Sequence, residues 1–306
     1  MSNPVYQKEI KMSVRTVRFA LLIMTFNGIL AVLSLLSLYG AINRSRFFGS
    51  VQFTNVIQTY STVAFIEFSM FMLLVPAITA GSISGEKERR TLDLLLTSRM
   101  SAVSIIIGKL TASLHMVRIL VISSLPVLSF VFIFGGIRIR DLLSVLVALL
   151  ITGTFAGSVG ILFSTISRKT TTATVLSYGS LIVLIFGSYG ILIFLQYLES
   201  NSIGNFANGI GRGVYALLLN PALTFCALIY GQVGSRDYIT EICTKYAPTE
   251  SGFVIDNWIP VSLCLQLLAS VLFLLLAAWI LNPLHAIALP QSWKKAGKVW
   301  DKDESN

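Results

Sequence analysis

The chain has 306 residues, 55% of them hydrophobic and only 12% charged, with a mean hydropathy of +0.78. A soluble domain carries about a quarter charged residues, so this chain lacks the polar surface to face water all round and must meet lipid instead. Its net charge of +9 then belongs to loops beside anionic headgroups rather than to a nucleic-acid surface, and its three Cys and two His are too few and too scattered for a disulfide or zinc framework.

The first element is amphipathic. Asn3-Pro4 suits a helix start, and Tyr6, Ile10, Val14 and Val17 then alternate at helical spacing with Lys8, Lys11, Arg15 and Arg18. Residues 1–18 therefore read as a helix lying on the inner membrane surface, as a positive topology signal, or as both.

Spans follow, each needing roughly 20 apolar residues to cross about 30 Å of hydrocarbon. Six are expected, at residues 19–42, 56–81, 119–136 (with an earlier start near Ile105 open), 142–166, 173–198 and 258–281. A seventh apolar stretch, 213–235, is broken by Asn220-Pro221, so it reads as a re-entrant or interfacial segment within an outer region, 199–256. Six spans with an inside N-terminus put sixteen of the 23 Lys and Arg on the cytoplasmic side, as the positive-inside rule requires, and leave residues 282–306 as a cytoplasmic tail. The expected class is all-α: one polytopic membrane domain over residues 1–306, carrying an N-terminal interfacial helix and a cytoplasmic coupling helix.

Within the spans two features call for a function or a packing role. Glu67 is a carboxylate inside the second span, either a transport group facing the bundle interior or a residue near the outer end in contact with water. Gly153 and Gly157 have the GxxxG spacing of close helix contacts, followed by Gly160, and Pro76 and Pro126 mark kinks. Cys226 and Cys243 share the outer region, where a disulfide or free thiols would both fit.

Between the second and third spans lies AGSISGEKERRTLDLLLTSRMS, residues 80–101, which starts as a Gly/Ser stretch and becomes a charged helix. Its i,i+4 pairs are Glu86 with Arg90 and Arg89 with Asp93, and Leu92, Leu95 and Leu96 form an apolar patch. Pattern alone favours a solvated loop helix over a docking element.

Catalytic motifs are missing. The two Gly-Lys pairs, Gly108-Lys109 and Gly297-Lys298, lack the hydroxyl of a phosphate-cradling loop, and there is neither a Gly-x-Ser-x-Gly elbow nor a His-Glu-x-x-His helix. No catalytic or metal-binding residue is expected.

The run PAITAGSISGEKERRTLDLLLTSRMS with its following Gly108-Lys109 resembles the permease pattern of ABC-2-type transporters. Supporting matches come in order along essentially the whole chain: NPVYQKEIK at the start, STISRKTTTATVLSYG between spans four and five, and LNPALTF before the last span. Two positions depart from the pattern, Arg90 where a Gly commonly precedes Thr-Leu, and Met100 where a Pro often precedes Ser.

The resemblance implies an ABC exporter permease whose ATP and Mg²⁺ are bound by separate ATPase subunits, two of them, with a second permease chain, identical or homologous, in a prokaryotic plasma membrane. It also implies a coupling helix within residues 85–99, where Gly85, Glu86, Glu88, Arg89, Thr91, Leu92 and Leu95 would take up the push of the ATPase. The cargo it implies is only a class, peptide, drug or lipid-like. The alternatives are a membrane assembly or immunity component, or a secondary transporter of the same topology.

Overall fold

The computed structural model describes residues 17–48, 53–91, 102–135, 138–201, 211–233 and 253–281. All regular structure among them is helical. The helices are α1 (Val17–Phe48), α2 (Phe53–Glu88), α3 (Ala102–Gly135), α4 (Ile139–Ile166) and α5 (Thr170–Asn201). A 3₁₀ segment (Gly211–Leu219), α6 (Pro221–Gln232), the single turn α7 (Phe253–Asp256) and α8 (Trp258–Leu281) follow. Six of these helices, α1 to α5 and α8, are long and apolar enough to cross a membrane. Helices are what an apolar chain must form in lipid, because only they satisfy every backbone N–H and C=O within one segment.

The spans run alternately up and down. The C-terminal ends of α2, α4 and α8 meet the N-terminal end of α3 in one apolar cluster, Ile83, Ile105, Ile106, Leu110, Ile161, Ala277, Ala278 and Leu281. This is the basic end, where the sequence concentrates Lys and Arg. A larger cluster joins α1 to α6 through Leu30, Val63, Phe71, Val75, Val121, Leu149, Leu181 and Phe225. α2 and α4 form the most extensive pair, and α8 lies on the other flank of α4.

Three glycines explain the α2–α4 contact. Gly153, Gly157 and Gly160 lie on one face of α4 against Phe71, Val75 and Thr79, which recur every four residues on α2. A Cβ on Gly153 would come within 2.7 Å of the Phe71 ring, and one on Gly157 within 3.4 Å of Thr79. Missing side chains let the two backbones approach, which is how helices gain packing energy in a solvent as apolar as themselves.

Two expected boundaries shift. The third span begins with the earlier of the two expected starts, because α3 already opens at Ala102 and carries Lys109, His115 and Arg118 within it. The second does not stop at Gly81 in a flexible Gly/Ser stretch; α2 stays helical to Glu88 and is about 54 Å long by its 36 residues. The small residues there serve packing: Ser84 is fully buried, and its N–H and that of Ile83 both donate to Ser164 Oγ on α4, at 2.8 and 2.9 Å.

The broken seventh stretch is a hairpin. Its arms are about 18 Å each by residue count, too short to cross. Val214, Leu217 and Leu218 pack with Leu192 of α5 and Trp258 of α8, while Gln232 returns to the N-terminal ends of α2 and α4. Both arms thus reach the end of the bundle opposite the basic one. At the break Asn220, fully buried, accepts from the Ala222 and Leu223 N–H groups at 3.0 and 3.2 Å. Its amide donates to the Ile185 carbonyl and Ser188 Oγ of α5 at 3.0 and 2.8 Å. One side chain thereby satisfies the break and docks it.

The N-terminal interfacial helix, apart from its last residues, Cys243 and the tail 282–306 lie outside the described residues.

Candidate functional site

A polar cluster lies at the basic end, around three consecutive residues that close α2. Glu86 accepts from Lys109 Nζ of α3 at 2.8 Å, and the same ammonium donates to the Ser82 carbonyl at 2.7 Å. The Lys109 side chain is only 2% exposed, against 24% for Glu86. A lysine so deeply enclosed needs a carboxylate, since an unpaired charge there costs several kcal/mol (about 3–5 when one partner of a buried pair is removed).

Lys87 donates to the Thr165 carbonyl at the C-terminal end of α4. Glu88, exposed, accepts from the Thr170 N–H at 3.3 Å and the Thr170 hydroxyl at 2.9 Å, at the first residue of α5. The electrostatics match: a cation meets the negative end of α4 and an anion the positive end of α5. Gly85 stands beside Thr170 as well, with room for a Cβ at 3.6 Å from its methyl.

Beyond Glu88 the helix ends sharply. Arg90 has φ 56°, in the left-handed region. The Thr91 N–H bonds to the Glu86 carbonyl at 2.9 Å and the Arg90 N–H to the Lys87 carbonyl at 3.1 Å. These are the two bonds of a Schellman cap, whose left-handed residue is usually Gly. The departure noted at Arg90 therefore falls on the position where glycine would be most at ease.

This geometry corrects two expectations. No single helix runs from 85 to 99, because the chain leaves helical conformation at Arg90, and Glu86 pairs with Lys109 rather than with Arg90. Arg89, Arg90 and Thr91 are exposed on the turn. Leu92, Leu95 and Asp93, the remaining members of the expected coupling helix, lie outside the described residues. The sequence gives Lys109 no role of its own: it stands there in a Gly-Lys pair that lacks a phosphate-loop hydroxyl and closes the run resembling the permease pattern.

Glu67 occupies a separate position, toward the other end of α2. It is 1% exposed and accepts from Ser124 Oγ of α3 at 2.5 Å, so it faces the bundle interior and not water. Its second oxygen has no hydrogen-bond partner among the described residues. Two turns away the Tyr60 hydroxyl donates to Gln232 Oε1 at 2.8 Å, and Gln232 Nε2 donates to the Asp141 carbonyl and Ser144 Oγ. Phe68, next to Glu67 in sequence, stacks on Phe225 of α6 with centroids 4.4 Å apart. Among the described residues no His, Cys, Asp and Glu group could hold a metal ion.

Comparison with known families agrees with this architecture. The family described as ABC-2 family transporter protein matches residues 49–281. The chain belongs to the ABC-2 transporter family. The match runs from just before α2 to the end of α8, so it takes in the polar cluster at the end of α2, Glu67, the glycine face of α4 and the hairpin broken at Asn220. This ABC-2 protein is accordingly a multi-pass transmembrane component of a transporter. No curated protein matches the chain.

Proposed function

We propose that this ABC-2 chain is the permease subunit of an ATP-coupled exporter, working by alternating access. ATP and Mg²⁺ are held by two separate ATPase subunits, and a second permease chain, identical or homologous, completes the membrane unit. The family match over residues 49–281 carries this reading. The concentration of Lys and Arg at one end supports placing that end, with both termini, in the cytoplasm of a prokaryotic cell.

On this reading the ATPase presses on residues 85–99. Gly85, Glu86, Glu88, Arg89 and Thr91 stand at the mouth of four helices, with Leu92 and Leu95 following in the chain. Glu67 is the intramembrane group whose surroundings rearrange as the bundle opens, being buried beside the re-entrant hairpin. The cargo is a peptide, drug or lipid-like molecule.

The test is hydrolysis in proteoliposomes. The ATPase subunit should hydrolyse ATP several-fold faster with this chain in the vesicle than with empty vesicles, and a reporter fused after Lys302 should be cytoplasmic. An ATPase indifferent to the chain, or transport driven by an ion gradient without ATP, would reject the proposal.

A further inference from the structure

Among the described residues, Glu86, Lys87 and Glu88 are three successive positions whose side chains reach three different helices. Successive residues on a helix diverge by about 100°, so a tripeptide can address α3, α4 and α5 at once. It does so with matched charge: Glu86 to the Lys109 ammonium, Lys87 to the Thr165 carbonyl, Glu88 to the N–H and hydroxyl of Thr170.

The turn beyond is bonded to the same residues. Its Thr91 N–H holds the Glu86 carbonyl and its Arg90 N–H the Lys87 carbonyl, so moving the turn moves the tripeptide. The turn, Arg89 to Thr91, is exposed, while Lys109 is enclosed.

We infer that Glu86, Lys87 and Glu88 form a transmission clasp inside the chain, passing displacement of the Arg89–Thr91 turn to α3, α4 and α5, with Lys109 as its positioning residue. This rests on the permease reading above and divides its contact residues into two groups: a surface that is pushed, and side chains that hand the push on.

The experiment uses the full chain assembled with its ATPase subunit in nanodiscs. Spin labels replace Ile107 and Ile166, both exposed at this end, and their separation is measured without nucleotide and after ATP–vanadate trapping. Lys109→Met and Lys109→Gln, which remove the partner of Glu86, should each bind the ATPase within about twofold of wild type yet lose at least half of the trapping-induced distance change. The exchange E86K/K109E should restore it, which a merely structural loss would not.

Binding weakened about tenfold or more in Lys109→Met would make this pair part of the contact and overturn the inference. So would a full distance change in both single variants, or an exchange that restores nothing. A wild-type complex that shows no nucleotide-driven change, or a chain that binds no ATPase, rejects the permease reading itself. Wild-type movement that survives in the variants rejects the clasp alone.

Discussion

Gly160 of α4 lies so close to Thr79 of α2 that a Cβ added to it would fall 2.0 Å from the Thr79 hydroxyl and 3.0 Å from its Cβ. Thr79 is fully buried and its hydroxyl donates to the Val75 carbonyl, so it has nowhere to turn. Gly160→Ala should therefore force α2 and α4 apart, at a cost of about 1–3 kcal/mol typical of overpacking. Gly153→Ala meets the Phe71 ring and should cost somewhat less, while Gly157→Ala, at 3.4 Å, should be nearly neutral. Melting temperatures in detergent should fall in that order; equal values for the three would contradict the close α2–α4 contact.

Arg90 should be improvable. A non-glycine residue in the left-handed region costs about 1–2 kcal/mol, partly offset in glycine by its freer unfolded chain. Arg90→Gly should stabilise the protein by roughly 0.5–1 kcal/mol on these grounds, and Arg90→Val should destabilise it. A denaturation midpoint that drops in Arg90→Gly would mean that the guanidinium contributes more than the backbone loses.

Asn220 holds the hairpin at its break. Asn220→Ala removes a helix cap worth about 1 kcal/mol and leaves buried N–H groups and the Ile185 carbonyl side of α5 without this partner. Asn220→Asp keeps the accepting oxygen but not the donors to α5. Proteolysis within residues 211–233 should speed up in both, more in Ala than in Asp; unchanged cleavage in both would show that the hairpin is held elsewhere.

Glu67 should be shielded from both sides of the membrane. Glu67→Cys, in a background without the native cysteines, should resist a membrane-impermeant maleimide added on either face in the absence of nucleotide. Rapid labelling from the end opposite the basic one would restore the reading in which this carboxylate touches water.

Much of the architecture is legible in the sequence because hydropathy and chain breaks are local signals. Six apolar runs gave six spanning helices, and Asn220-Pro221 marked the break because cap and ring act within a turn. The glycines at 153, 157 and 160 announced a close contact but not its partner, since nothing in α4 names Phe71 and Thr79. The end of α2 was least legible. Glu86 has a cation at i+4, the spacing that local rules favour, yet the fold brings it Lys109, 23 positions on. That tertiary pairing also explains why α3 extends through charged residues that lower its hydropathy and hide its start.

On the proposed function, a separate ATPase engages this chain at the exposed turn closing α2. The most direct measurement is binding of the purified ATPase subunit to vesicles that carry the chain, compared with vesicles carrying Arg89→Glu/Arg90→Glu. Binding to the wild-type chain is expected, with none to empty vesicles and a loss of about tenfold or more on charge reversal. Equal binding to empty vesicles, or to the reversed chain, would contradict it.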